Sequence, residues 1–314
     1  MRQAWFFAND RANISKTTRE DSMGLFNFKK KSEEVRPNKN KAKVISFLNQ
    51  KGGVGKTTMA YNVAFALANR GQKVLAIDLD PQSNLSMLFD YEENSGKESN
   101  PNIFQLLINS IRELKPLHSA AAVFDIIDTK DGVDFIPAGQ ELSGFELSVA
   151  GISTPRQLIM KNFLEKSGIM SEYDAIIIDC PPTLGLLVVN SLCASHGVMV
   201  PFRPDDFSRK GLEHLDEVLD NINDMGIGNS PRVLAYIPNL VDTRRKQEAA
   251  DLEEICQQYN KEVLGCEIQP FFNRTTLVKA QSQRKSVFDF KSKDFVELQE
   301  QFQVLAERIE DLSL

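Results

Sequence analysis

The sequence predicts an α/β fold, a three-layer, mostly parallel twisted sheet with helices on both faces. Short apolar runs alternate with amphipathic stretches along most of the chain, which is typical of parallel strands joined by crossover helices. The strand-like runs are almost continuously apolar, as expected for strands that are covered on both faces. A strand, a glycine-rich loop, a helix and a second strand follow one another within residues 44–78, which favours a βαβ unit.

The predicted elements begin after residue 43. The first strand is Val44–Leu48, the first helix is Thr57–Arg70 with Gly71 in the C′ position, and the second strand is Lys73–Asp78. Further strands are predicted at Val133–Pro137, Ala175–Asp179, Val198–Val200 and Val233–Ile237. Further helices are predicted at Thr154–Lys166, Leu184–Ala194, Lys210–Asp224, Thr243–Tyr259 and Asp294–Leu312. Residues 91–117 are expected to form an insertion at the rim of the sheet.

Composition excludes several classes of protein. The 314 residues are 42% hydrophobic and 25% charged, as in soluble globular proteins. There is no run of about 18 apolar residues, so the sequence predicts no transmembrane helix, and the first residues lack the pattern of a signal peptide. The four cysteines (Cys180, Cys193, Cys256 and Cys266) lack metal-site spacing and form no ligand cluster with the three histidines. We therefore expect a cytoplasmic protein with reduced cysteines and no structural metal.

Charge is distributed unevenly along the chain. Residues 1–43 hold eleven Lys and Arg and five Asp and Glu, a net charge of +6, whereas the whole chain carries −6. We therefore divide the chain into a flexible basic leader, residues 1–42, and one domain, residues 43–314. The run Lys29–Lys31 follows Leu25, Phe26 and Phe28, so the leader is open to three interpretations: an inert tail, a DNA-binding arm or a weak membrane-interface anchor. Met23 is an alternative start.

The stretch NQKGGVGKTT, residues 49–58, predicts a phosphate-binding loop between a strand and a helix. Gly52, Gly53 and Gly55 allow positive φ and expose backbone N–H groups to a phosphate, and the helix N-terminus that follows favours an anion. Lys56 is expected to contact the β- and γ-phosphates of a nucleotide, and the Thr57 hydroxyl to bind Mg²⁺.

The loop departs from the common pattern G-x-x-x-x-G-K-S/T. Gln50 stands where the first glycine is expected, and a second lysine, Lys51, follows it. Three glycines remain to shape the loop. Thr58 is placed to add a hydrogen bond to the α-phosphate.

Two acidic motifs follow predicted strands. Asp78 and Asp80 come after the apolar run KVLAI, and Asp179 ends the run AIIID. Because carboxyl ends of parallel strands meet at one edge of a sheet, these carboxylates should lie near the glycine loop. Asp179 is the candidate Mg²⁺ carboxylate, Asp80 the candidate that orients the attacking water, and Asp78 a support for the metal and Thr57 from behind.

The motifs NQKGGVGKTT, IDLDPQSNLS and IIIDCPP, in this order and at these distances, resemble those of the ParA/MinD family of deviant Walker-A ATPases. The resemblance covers residues 43–314 and is most specific in these three motifs. It implies a P-loop NTPase fold, ATP and Mg²⁺ as cofactors, and ParA-type (Soj-like) partition ATPases as the nearest group.

The resemblance also assigns further residues. It implies that Lys51 reaches across a dimer interface to the nucleotide of the other subunit, where two buried triphosphates demand extra cations. Asn239 is implied to lie on the adenine side, and Asp205, where the family often has Glu, to contact the ribose or the partner. The candidate nucleotide-binding residues are Gly52, Gly53, Val54, Gly55, Lys56, Thr57, Thr58, Asp205 and Asn239, the candidate metal ligands are Thr57, Asp78 and Asp179, and the candidate catalytic residues are Lys51, Lys56 and Asp80. Candidate DNA contacts are Arg274, Lys279, Arg284 and Lys285, which a merely solvated charged face would also explain.

The expected function is that of a slow Mg²⁺-dependent ATPase that dimerises on ATP, binds DNA non-specifically and partitions plasmid or chromosomal DNA or positions another cargo. A ParB-like protein or cargo adaptor would stimulate hydrolysis, and the protein would be cytoplasmic and nucleoid-associated. Three alternatives remain: a MinD-like membrane-associated ATPase, a nucleotide-binding regulator without turnover, and a redox protein like the nitrogenase iron protein. The acidic C-terminus lacks a basic amphipathic helix and gives a membrane role no support there.

Overall fold

An eight-stranded sheet forms the centre of the structure, a computed structural model that describes residues 41–91, 102–112, 123, 127–226, 228–229, 231–242, 245–258, 270–272 and 275–314. The strand order is β3-β4-β2-β5-β1-β6-β7-β8, and among the described pairs β3–β4 alone is antiparallel. The strands are β1 (Lys43–Phe47), β2 (Val74–Asp78), β3 (Asp128–Lys130), β4 (Val133–Ile136), β5 (Ala175–Asp179), β6 (Gly197–Phe202), β7 (Arg232–Val241) and β8 (Phe271–Phe272).

Helices cover both faces of this sheet. They are α1 (Lys56–Asn69), α2 (Asn84–Leu88), α3 (Ile103–Arg112), α4 (Phe145–Ser148), α5 (Ile159–Lys166), α6 (Ile169–Glu172), α7 (Leu186–Ala194), α8 (Asp206–Met225), α9 (Lys246–Gln258), α10 (Thr275–Ser282) and α11 (Lys293–Glu310). Short 3₁₀ turns lie at Gln140–Gly144, Arg156–Leu158 and Val287–Asp289. The described residues belong to one compact unit, Asn38–Leu314.

The core has two apolar layers because successive side chains of a strand point to opposite faces. On β5, Ile176 and Ile178 pack in one layer with α5, α7 and α8, whereas Ile177 packs in the other with α1 and α11. Two helical layers around one mostly parallel sheet confirm the predicted fold class.

The predicted elements differ from the structure mainly at their ends. The first helix and the strand Ala175–Asp179 are where the sequence places them, and Gly71 follows α1 with φ of 85°. The predicted helix Thr154–Lys166 begins later, since a 3₁₀ turn precedes α5, and β7 is longer than predicted. The short elements β3, β8, α2, α4, α6 and α10 were not predicted individually.

Several predictions fall on residues outside the described ranges. The leader, residues 1–42, is described only at Lys41 and Ala42, and the predicted insertion, residues 91–117, only around α3. Cys180 and Cys193 are buried and reduced, as expected for core cysteines. Within the described ranges, no helix combines the length and apolarity that crossing a membrane requires.

Candidate functional site

The carboxyl ends of three neighbouring strands bring the predicted site residues together. Strand β5 lies between β1 and β2, and its register aligns Asp179 with Phe47 on one side and Asp78 on the other. Because all three strands are parallel, the loops that follow them leave the sheet at the same edge. The glycine loop after β1 and both acidic motifs therefore face a common space.

The loop between β1 and α1 depends on two of its glycines. Gly53 and Gly55 have φ of 73° and 92°, a conformation that side chains with a Cβ disfavour. Gly55 also has no room for a side chain, because a Cβ would lie 2.2 Å from Nδ2 of Asn239. Gly52 does not have positive φ, so the expectation that all three glycines use this conformation was wrong.

The backbone of the loop borders a cavity at the N-terminus of α1. Helix α1 has no side-chain cap, which leaves the N–H groups of its first turn available to an anion. Together with Gly52, Gly53 and Gly55, the residues Lys56, Thr57 and Thr58 line a cavity of about 570 Å³, a size in the usual range for ligand pockets.

Lys56 lies on the floor of this cavity and is buried, with its side-chain Nζ donating to the backbone oxygen of Lys51 at 3.3 Å. Burial lowers the pKa of Lys56, and the nearby carboxylates of Asp179 and Asp80 oppose this effect. Within the described residues its ammonium forms no direct ion pair, so it remains available to a negatively charged ligand in the cavity.

Asp179 is the most unusual group of the site. It is completely buried, and neither carboxylate oxygen has a hydrogen-bond partner within the described residues. Burial raises its pKa well above the usual range and the neighbouring Asp78 adds to this rise, while the Thr57 hydroxyl and the Lys56 ammonium oppose it. A buried carboxylate without partners is costly, and a cation would remove that cost. The residues thus fit a magnesium ion beside Thr57.

Asp78 has a different environment, because the chain satisfies both of its oxygens. Oδ1 accepts from the backbone N–H of Asp80 at 3.1 Å, and Oδ2 accepts from the N–H and the hydroxyl of Ser86 at 2.8 Å each. Burial raises the pKa of Asp78 to about 6, and these hydrogen bonds limit the rise. The structure thus uses Asp78 to hold the Asp80 loop against α2, and its support of the metal and Thr57 from behind stays a prediction.

Asp80 projects into the cavity from the loop that Asp78 anchors. Its Oδ1 accepts the backbone N–H of Gln82 at 3.0 Å, and the residue is 6% exposed. Asp80 also borders a second cavity of about 340 Å³, whose walls include Leu142, Phe145 and Leu187. A carboxylate fixed at the edge of the nucleotide cavity is well placed to orient a water molecule.

The second lysine of the loop, Lys51, directly precedes Gly52, the first loop residue that lines the cavity. Its ammonium forms an ion pair with Asp205, at the start of α8, and the two side chains are 37% and 28% exposed. Gln50, in the slot of the missing glycine, contacts Nδ1 of His214 on α8 at 2.6 Å. Both unusual loop residues therefore contact the α8 region, and the contact of Asp205 with the ribose or the partner stays a prediction.

Asn239 follows the buried part of β7 and packs directly against the glycine loop. Its Nδ2 donates to the backbone oxygen of Val54 at 2.7 Å, whereas its Oδ1 is buried without a partner within the described residues. Asn239 therefore fixes the loop with one end of its amide and keeps an acceptor for a ligand at the other.

The four candidate DNA contacts do not form one uniform patch. Lys279 and Lys285 are exposed, and Nζ of Lys279 lies 5.8 Å from the ring centre of Phe290. Arg284 is 46% exposed but also lines the nucleotide cavity, a position that no local pattern predicts. Arg274 lies outside the described residues.

Sequence reasoning missed three residues near the site: Ser86, Asp90 and Lys130. Ser86 binds Asp78, and Lys130 donates to Asp90 at 2.6 Å and to the backbone oxygen of Arg284 at 2.6 Å. Ser86 ends the second motif, IDLDPQSNLS, and Asp90 follows it four residues later, so their proximity in sequence was a weak signal. Lys130 is 154 residues from Arg284, and no local pattern indicates that contact.

Comparisons with known proteins agree with this geometry. A model of the AAA domain family matches residues 42–230. The chain is 36% identical over 255 residues to an uncharacterized protein of Methanocaldococcus jannaschii, covering 79% of this chain and 91% of that one. It is 31% identical over 228 residues to the chromosome-partitioning ATPase Soj of Treponema pallidum, covering 71% and 81%.

A solved structure extends the likeness to three dimensions. Cobyrinic acid a,c-diamide synthase from Mycobacterium smegmatis, with a bound ATP analogue and magnesium, is similar with a TM-score of 0.67 and 26% sequence identity. The match covers 86% of this chain and 96% of the synthase.

Proposed function

The chain belongs to the ParA/MinD family of ATPases, and from this membership we propose that it is a slow, Mg²⁺-dependent ATPase that dimerises around two ATP molecules and binds DNA non-specifically. Its task would be to partition plasmid or chromosomal DNA or to position another cargo on the nucleoid. A ParB-like protein or a cargo adaptor would end the ATP-bound state by stimulating hydrolysis.

The observation that carries the proposal is the buried carboxylate of Asp179, which lies near the Thr57 hydroxyl and the Lys56 ammonium but has no hydrogen bond of normal geometry within the described residues. Lys56 and the first N–H groups of α1 would hold the β- and γ-phosphates of ATP, and Thr57 and Asp179 would hold Mg²⁺. The ion supplies positive charge that stabilises the phosphates during transfer. The ATP analogue and magnesium in the similar diamide synthase support the same ligands here.

Hydrolysis would depend on Asp80. Its carboxylate is fixed by the Gln82 N–H, and its backbone is fixed by Asp78, so it is held in one orientation before the substrate arrives. In that position it would orient a water molecule and accept its proton as the water oxygen bonds to the γ-phosphorus and the bond from that phosphorus to the leaving ADP oxygen breaks. A single carboxylate with few supporting groups fits a slow basal reaction that a partner accelerates.

Dimerisation would depend on Lys51. In the single chain its ammonium is paired with Asp205, and both side chains are partly exposed. An exposed ion pair contributes little to stability. Lys51 would therefore lose little free energy if it left Asp205 and bound a phosphate of the ATP held by a second copy of the chain. Two triphosphates facing each other in a poorly solvated space would strongly favour this exchange.

DNA binding would use Lys279, Arg284 and Lys285 together with Arg274. A few cations per subunit bind phosphates weakly, so a dimer that doubles the number of contacts should bind much more tightly than a monomer. DNA association at the nucleoid would then follow the ATP state.

The direct test is DNA binding by the full chain to a mixed-sequence duplex with ATP, ADP or no nucleotide. We expect much tighter binding with ATP than with ADP or without nucleotide, and an affinity that falls steeply and log-linearly from about 50 to about 200 mM salt. Equal binding in all three nucleotide states, or none with ATP at low salt, would refute the proposal.

A further inference from the structure

Arg284 has a partner within the chain, the carboxylate of Asp90, and we propose that this carboxylate competes with DNA phosphate for the Arg284 guanidinium. Because Arg284 belongs to the proposed DNA surface, the competition rests on the proposed function. It adds to that function a residue that restrains DNA binding and a physical link between the nucleotide cavity and the DNA surface.

The backbone of Arg284 is held firmly. It has φ of 52°, unusual for a residue with a long side chain, and its carbonyl oxygen accepts hydrogen bonds from Tyr61 Oη at 3.2 Å and Lys130 Nζ at 2.6 Å. These two donors come from α1 and from the end of β3, so the position of the Arg284 backbone is fixed by the body of the fold.

The side chain of Arg284 is held much less firmly. Its Nη1 lies 3.3 Å from Oδ1 of Asp90, and the two side chains are 46% and 53% exposed. Such a pair contributes little to stability. A phosphate offers the guanidinium stronger, bidentate hydrogen bonds, so the guanidinium can exchange one anion for the other while its backbone stays in place.

Asp90 remains anchored when Arg284 leaves. Its Oδ2 accepts from Lys130 Nζ at 2.6 Å, and the same ammonium donates to the backbone oxygen of Leu88 at 2.8 Å. Partial burial opposes ionisation, but the hydrogen bonds from Lys130 and Arg284 lower the pKa of Asp90, which keeps the carboxylate charged at neutral pH. The Asp90 carboxylate therefore stays both in place and charged, as the anion that competes with phosphate.

The pair lies beside the nucleotide cavity. Asp90 is two residues beyond the end of α2, whose Met87 and Leu88 line the cavity, whereas Arg284 lines it together with Gln281 and Ser282 at the end of α10. A nucleotide bound in the cavity would contact both segments and would thereby change the distance between Asp90 and the Arg284 guanidinium. ATP would release the guanidinium for DNA by this route, in addition to the contribution of dimerisation.

The test replaces Asp90 with asparagine, which removes the charge and tolerates the positive φ of 61° at this position. Asp131→Asn is the matched control, since Asp131 is exposed, has φ of 48° and directly follows Lys130, but forms no ion pair within the described residues. Affinity for a mixed-sequence duplex is measured with and without ATP for both variants, and melting temperatures confirm that they fold.

We expect Asp90→Asn to bind DNA about threefold to tenfold more tightly than the wild type without nucleotide at low salt, with a smaller gain in ATP. Asp131→Asn should stay within about twofold of the wild type, and Arg284→Gln should abolish the gain of Asp90→Asn. Equal gains in both asparagine variants, a gain that survives Arg284→Gln, or no gain overturn the competition. Absence of ATP-dependent DNA binding in the wild type would instead refute the proposed function, and the competition with it.

Discussion

Two sets of charged residues near the glycine loop hold their charges in opposite ways: a buried set, called the floor (Lys56, Asp78 and Asp179), and a partly exposed set, called the rim (Lys51, Asp205, Asp90 and Arg284). Every floor residue is buried, and none forms an ion pair within the described residues. Every rim residue is partly exposed and belongs to an ion pair within the chain. A buried group cannot readily change partners, whereas an exposed pair is weak and exchangeable. We therefore expect the floor to bind a ligand and the rim to contact other macromolecules.

The largest effect should come from the floor. Among the described residues of the site, Lys56 is the one buried cation, and Lys56→Ala removes it. We expect the affinity for ATP to fall by about 100-fold or more, because a buried charge-assisted contact is lost. Isothermal titration with Mg²⁺–ATP measures this change. Lys73→Ala, which removes an exposed lysine 3.7 Å from Glu172, is the matched control and should bind ATP normally. Unchanged affinity in Lys56→Ala would remove the floor from the nucleotide site.

The next effect should separate turnover from binding. Asp80→Ala should retain ATP but lose turnover by about 10²- to 10⁴-fold, because the oriented water loses its base. Steady-state phosphate release and nucleotide affinity are measured side by side. Asp220→Ala removes an exposed carboxylate of α8 and should leave both quantities unchanged. Normal hydrolysis by Asp80→Ala would show that another group orients the water.

The smallest effect concerns the scaffold beneath the floor. Nδ1 of His196 accepts the backbone N–H of Val44 on β1 at 3.0 Å, and burial lowers the pKa of His196 below its usual value. As pH falls through the unfolded-state pKa near 6.5, the unfolded chain binds a proton that the folded chain resists. Stability should therefore decrease as the pH is lowered below about 6.5.

Urea unfolding of the wild type and His196→Gln between neutral and mildly acidic pH measures this dependence. The wild type should lose more stability than the variant over this range. Parallel curves would show that His196 does not contribute to the pH dependence.

The sequence predicted the floor better than the rim, for a physical reason. Asp78 and Asp179 end apolar strands, and Lys56 begins a helix after glycines, so a parallel sheet brings them to one edge whatever the details of the loops. The partners of these residues depend on tertiary packing. No pattern in the chain indicates that Ser86 takes both hydrogen bonds of one Asp78 oxygen.

The rim contacts join residues far apart in sequence, and local patterns carry no information about them. Lys51 and Asp205 are separated by 154 positions, and Asp90 and Arg284 by 194. Short elements were missed for a related reason: β3 has three residues and β8 has two, too few to show an alternating pattern. The assignment of Arg284 to DNA alone was incomplete because its side chain also borders the nucleotide cavity.

We propose that Lys51, at the rim, binds the nucleotide of a second copy of the chain, whereas Lys56, on the floor, binds the nucleotide of its own chain. The most direct measurement is the molar mass in solution with Mg²⁺–ATP, made in an Asp80→Ala background so that ATP is not consumed. That protein should be a dimer, and adding Lys51→Ala should make it a monomer that still binds ATP, whereas adding Lys73→Ala should leave it dimeric. A Lys51→Ala protein that still dimerises on ATP would contradict the account.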